Sequence, residues 1–129
     1  MKTYLIALIF CFSMTAVAQN IDQRVSGFKN SCTEKYSPDM DEPQMRWSLT
    51  SEKAEFYVVS KYDKTQREAW QTFNVKEIKE ENDPTNGKAY IYSISSYKNG
   101  EATLLYVPQE KFIKVTMKES GCIITYDLY

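Results

Sequence analysis

The sequence predicts an all-β protein: an antiparallel meander of about seven strands, closed as a small barrel or stacked as a sandwich. An irregular or short-helical N-terminal segment precedes it. Three observations carry this expectation. Phe112 to Met117 alternates, with Ile113, Val115 and Met117 on one side and Lys114 and Thr116 on the other; Cys122, Ile124, Tyr126 and Leu128 continue the pattern further on. Asn86-Gly87, Asn99-Gly100 and Ser120-Gly121 suit the positive φ of tight hairpins. The connections are shorter than the roughly dozen residues a parallel crossover needs.

The N-terminus reads as a cleaved secretory signal over residues 1–18. Lys2 gives a short positive start, Tyr4 to Phe12 an apolar stretch, and Ala16-Val17-Ala18 the small residues that a signal peptidase reads. The apolar stretch is far shorter than the roughly 20 residues that span a bilayer, so no membrane insertion is expected after cleavage. Lipidation at Cys11 is the alternative, but Phe10 stands where a lipobox wants a small residue. The mature chain is then a single β-rich domain over residues 19–129, exported to a periplasm or secreted.

Residues 19–44 differ from the rest of the chain. Ile21, Val25 and Phe28 fall at i, i+4 and i+7, and Asn20 can cap them, which predicts a short helix. Ser37 to Pro43 reads as a loop bracketed by prolines. Strands are expected at Arg46 to Thr50, Glu55 to Tyr62, Glu68 to Ile78, Lys88 to Tyr97, Ala102 to Val107, Phe112 to Met117 and Cys122 to Tyr129. Glu68 to Ile78 alternates less cleanly than the others. Glu80 to Gly87 reads as a polar loop and Pro108 to Lys111 as a four-residue turn. Strands of about 26–36 Å, at roughly 3.3 Å per residue, favour a curled sheet.

Cys11 leaves with the leader, so Cys32 and Cys122 are the cysteines that remain. An oxidising compartment makes such a pair a disulfide. The loop it closes, about 90 residues, corresponds to about 4.6 kcal/mol of denatured-state entropy. A reactive thiol is the lesser reading, because the chain has neither a Cys-X-X-Cys motif nor a histidine to activate a thiolate.

The strongest chemical statement is negative. The chain has no histidine, which removes Ser-His-Asp triads, Cys-His pairs and imidazole metal sites. With 4 glycines it has no glycine-rich phosphate loop. No catalytic residues, cofactor or metal are therefore assigned, and the protein is read as a non-enzyme. Two acidic clusters are candidates for acid/base work or Ca²⁺ binding: Asp39, Asp41 and Glu42, and Glu80, Glu81 and Asp83. Neither has a known ligand spacing, and both read as solvated loops. The formal net charge is −1, becoming −2 once Lys2 is removed, which gives no electrostatic reason to expect nucleic acid.

Aromatic content is the positive signal, with 10 tyrosines and 2 tryptophans. Tyr90 and Tyr92 share one strand face, and Trp47 and Trp70 can lead a stacking face; these four are the candidate ligand-binding residues. In size and strand pattern the chain resembles lipocalin-like barrels. The Gly-X-Trp of that family is missing, since Met45-Arg46 precede Trp47, so no residue roles are carried over. The first functional expectation is a barrel that binds a small apolar or amphipathic ligand. The alternative is a protein-binding module, such as a secreted inhibitor or envelope adaptor. Inward tyrosines around a void favour the first; a filled interior with exposed aromatic residues favours the second.

Overall fold

A computed structural model describes residues 20–33, 35–38, 44–60, 62–63, 65–85 and 87–129. The expected signal over residues 1–18, the Asp39, Asp41 and Glu42 cluster, and Asn86 lie outside these residues.

Nine strands run along the described chain: β1 (Ile21–Asn30), β2 (Lys35–Pro38), β3 (Gln44–Leu49), β4 (Lys53–Val59), β5 (Arg67–Asp83), β6 (Gly87–Ser96), β7 (Gly100–Val107), β8 (Phe112–Met117) and β9 (Ile123–Leu128). Every pairing is antiparallel, and β1 pairs with both β3 and β9. The sheet thereby closes into an eight-stranded barrel, so the choice between barrel and sandwich falls to the barrel. The remaining strand, β2, lies along the same edge of β1 as β3, opposite Gly27 to Asn30.

The expected helix over Ile21 to Phe28 is instead the first part of β1. The reason is a β-bulge at Ser26. Val25 pairs with Leu128, and the next pair is Gly27 with Asp127, so Ser26 is the extra residue; its hydroxyl donates to the Asp127 carbonyl at 3.2 Å. Ile21 to Val25 keeps the strand period, while the inserted residue returns Phe28 to the inner face after three positions. A bulged strand thus reproduces the i, i+4, i+7 spacing of a helix.

Two further bulges explain the poor alternation of β5. Phe56 pairs with Gln71 and Tyr57 with Ala69, leaving Trp70 extra. Val75 pairs with Ile94 and Glu77 with Ser93, leaving Lys76 extra. The apolar series Phe73, Val75, Ile78 therefore stays on one face despite unequal spacing. The strand is also longer than expected at 17 residues, because Glu80 to Asp83 pair with Lys88 to Tyr90 and Gly87 rather than forming a loop.

The turns follow the expected chemistry. Gly87, Gly100 and Gly121 adopt φ of 78°, 74° and 72°, which a residue without Cβ tolerates at little cost. Pro108 to Lys111 closes with a hydrogen bond from the Lys111 N–H to the Pro108 carbonyl. The second expected strand ends at Val59, short of Tyr62.

Inward residues of all eight barrel strands form one core. Trp47, Tyr92, Tyr126, Phe73, Leu49, Ile94, Leu104, Ile113, Val25 and Val115 are each at most 2 % exposed. A side chain bordering a void large enough for a ligand would carry accessible surface toward it, and these carry almost none. The predicted disulfide joins Cys32 to Cys122 with Cα atoms 5.5 Å apart. It lies just past the ends of β1 and β9, on the seam that closes the barrel, where Ser31 and Ile123 also exchange two hydrogen bonds.

Candidate functional site

The four residues singled out by sequence go to different places. Trp47 is sealed inside on β3, 0 % exposed, with its ring 5.5 Å from Phe56 and 5.2 Å from Tyr126. Its Nε1 has no hydrogen-bond partner among the described residues. Tyr90 and Tyr92 do share the inner face of β6, where both pack with the core. Burial, with Tyr106 and Tyr90 beside it, pushes the Tyr92 phenol up to about 12. Tyr90 stacks on Tyr106 with ring centroids 6.0 Å apart. Tyr90 is partly buried, and Trp70 is the most exposed of the four, half exposed, with its ring against Phe56 at 5.7 Å. The two indoles thus meet the same phenylalanine, but Trp47 offers no surface for stacking.

Tyr126 fills the lumen at this level. It stands on β9, and its hydroxyl donates to Gln71 Oε1 on β5 at 3.2 Å; these two strands are four steps apart in either direction around the barrel. Burial holds the Tyr126 phenol far above its ordinary range. Phe28, Phe56 and Trp47 surround its ring at 5.7, 4.9 and 5.2 Å.

Surface chemistry concentrates elsewhere. Among the described residues the large apolar side chains left exposed are Tyr62, Trp70, Tyr97 and Tyr129. Strand direction decides their grouping. The β4–β5 loop carries Tyr62, Trp70 lies near the start of β5, and the β6–β7 turn carries Tyr97. All three stand at one end of the barrel. The ladder from Asn74 and Ser95 runs toward them on adjacent strands. Tyr129 stands at the other end, its N–H bonded to the Arg24 carbonyl. Sequence reasoning misses Tyr62 and Tyr97 as surface markers because strand propensity does not distinguish a loop tyrosine from a core tyrosine.

Polar clusters line the outer wall. Asp22 on β1 accepts from Arg46 Nε at 2.7 Å and from the Tyr57 hydroxyl at 2.6 Å. The Arg67 guanidinium lies 3.8 Å from the Tyr57 ring centroid and pairs with Glu55. Burial first, then the Asp22 carboxylate, pushes the Tyr57 phenol up. On the opposite wall Glu101 sits between Lys76 and Lys118 at 2.9 and 3.0 Å. Their hydrogen bonds and charges pull its carboxyl down to about 2. These side chains border a shallow groove of about 420 Å³ with Ser93, Thr103 and Thr116. A second groove, about 500 Å³, is bordered by Glu81, Asn82, Ala89, Leu105, Val107 and Phe112.

Of the remaining acidic cluster, Glu80 and Glu81 do not come together. Glu80 and Glu81 are successive residues of a strand, so their side chains leave by opposite faces, and Glu80 pairs with Lys88 at 3.2 Å. Among the described residues no group of three or more metal-ligating side chains gathers, and no helix is long and apolar enough to cross a membrane. Compared with known protein families, with curated proteins and with solved structures, the chain matches none of them.

Proposed function

We propose that this is an exported, non-enzymatic recognition domain that binds a protein partner through the barrel end bearing Tyr62, Trp70 and Tyr97. The observation that carries the reading is their grouping: three of the exposed large aromatic side chains occur at one end, on two connections and a strand that they flank. Tyrosine and tryptophan contribute large, rigid contact area at low entropic cost and are enriched at interfaces. The Cys32–Cys122 bridge supports export. A ligand carried in the lumen receives less support, because Tyr126 and its neighbours occupy the middle of the barrel.

Site-specific photocrosslinking in the native compartment tests this. A photoreactive phenylalanine at Tyr97 is expected to give a discrete protein adduct, and the same group at Tyr129 none. Equal labelling at both ends, or none at Tyr97, overturns the proposal. Native mass spectrometry of the purified protein tests the lumenal alternative: an excess mass lost on denaturation would restore it.

A further inference from the structure

The two edges of β5 are not equally covered. Its first half, Arg67 to Asn74, pairs with β4, and its second half, Asn74 to Asp83, pairs with β6. Beyond Val75, whose N–H bonds to the Glu52 carbonyl, no described residue pairs with the β4-side edge. From Lys76 to Asp83, alternate backbone N–H and C=O groups of this edge therefore point away from the barrel. At 17 residues, β5 is well beyond the usual strand of about 3–10 residues. With β6 it makes an arm at the end opposite Tyr62 and Tyr97.

An open edge accepts another strand, and its charges select which one. Lys76, Glu77, Lys79, Glu80, Glu81 and Asp83 give this segment a net negative charge. A second copy is the first occupant to consider. Two antiparallel strands related by a two-fold axis must centre on one residue, so that side chains share faces. Centring on Lys79 sets Lys79 against itself and Glu77 against Glu81. Centring on Glu80 sets Glu80 against itself and Glu77 against Asp83, and centring on Glu81 sets Glu81 against itself. Centring on Ile78 matches Lys76 with Glu80 and Glu77 with Lys79, but carries the copy's Glu81 to Asp83 alongside Val75, Asn74 and Phe73. Glu52 and Lys53 already hold that place. Self-pairing is therefore opposed by like charge or by occupied space in each of these four registers.

We infer that the Lys76–Asp83 edge of β5 accepts an extended, basic segment of another protein as an added strand. The outer face sets the pattern. Glu77, Lys79 and Glu81 alternate with Ile78 and Glu80, and Glu80 is already paired with Lys88. An antiparallel guest then needs basic residues opposite Glu81 and Glu77, an acidic or polar residue opposite Lys79, and an apolar residue opposite Ile78. Read along the guest, this is basic, polar, acidic, apolar, basic. The inference is independent of the surface at the other end.

The test uses a capped peptide, Thr-Lys-Thr-Glu-Val-Lys-Thr, and its charge-reversed counterpart, Thr-Glu-Thr-Lys-Val-Glu-Thr. Each is titrated to millimolar concentration into the isotope-labelled full domain, and amide shifts are followed. The basic peptide is expected to move amides of residues 76–83, and the counterpart to leave them in place. The double variant Glu77→Lys, Glu81→Lys is expected to invert that preference while keeping the dispersed spectrum of a folded barrel. Equal shifts with both peptides, shifts scattered over the acidic surface, or no shift at residues 76–83 overturn the inference. A dimer at the same protein concentration that Ile78→Lys dissolves overturns it in favour of a second copy.

Discussion

Tyr126 on β9 hydrogen-bonds to Gln71 on β5 across the full width of the barrel. The contact ties together two strands that share no ladder, and it places an aromatic ring where a carrier barrel would keep space. Tyr126→Phe keeps the ring and removes the bond, which should cost about 1 kcal/mol. Tyr126→Ala opens the centre of the core and should cost about 3–5 kcal/mol. Urea denaturation midpoints check both values. A Phe variant as unstable as the Ala variant would show that the polar contact, rather than the ring, holds the lumen together.

The Cys32–Cys122 bridge sits on the closing seam, so its loss should be felt there first. Replacing both cysteines with serine should lower stability by up to about 4–5 kcal/mol on the loop-entropy account. Hydrogen exchange should show β1 and β9 losing protection ahead of β3 to β8. A variant as stable as the parent would mean that the β1–β9 ladder closes the barrel unaided.

Ser26 separates two kinds of contribution. Ser26→Ala removes only its bond to the Asp127 carbonyl and should cost about 1 kcal/mol. Deleting Ser26 leaves Val25, Gly27 and Phe28 as a regular ladder opposite Leu128, Asp127 and Tyr126, so Phe28 keeps its inner face and what is lost is the local bend and twist of β1. The deletion should therefore cost more than the substitution only by what the bend and twist contribute, as thermal unfolding would report. Near-equal values would mean that the bulge is dispensable.

Alkaline stability depends on the buried phenols. Burial raises Tyr92 to about 12 and Tyr106 and Tyr126 above their ordinary value. A raised folded-state value means that the native protein retains protons that the unfolded chain gives up. Their contribution is then whole below about pH 10, the ordinary tyrosine value, and is lost as pH rises toward 12. Denaturant midpoints should hold steady to about pH 10 and fall above it. Tyr92→Phe should flatten that fall.

Glu101 gives the acid-side counterpart. Its carboxyl, between Lys76 and Lys118, titrates near 2, so the pairing is intact above the ordinary carboxylate range and lost as pH falls through about 2. Carboxyl carbon shifts should show this value, and high salt should move it back upward because the group is solvent-exposed. A value unaffected by salt would locate the cause elsewhere.

Much of the fold is legible along the chain. The alternation of Phe112 to Met117 and of Cys122 to Leu128, the glycines at positive φ, and the short connections fix antiparallel neighbours locally, because side-chain period and turn chemistry act within a few residues. The cysteine pair is legible because the expected removal of residues 1–18 leaves only two. The tertiary structure alone decides which face a residue takes after a bulge. Ile21, Val25 and Phe28 read as a helix until the Ser26 insertion, visible only against β9, restores them to one strand face. Trp47 and Trp70 look alike in sequence, yet closure of the sheet buries one and the bulge opposite Phe56 lifts the other to the rim. The grouping of Tyr62, Trp70 and Tyr97, and the half of β5 that no described residue pairs on its β4 side, likewise arise from strand direction and unequal strand length. Both are properties of the closed barrel, which no local segment of the chain encodes.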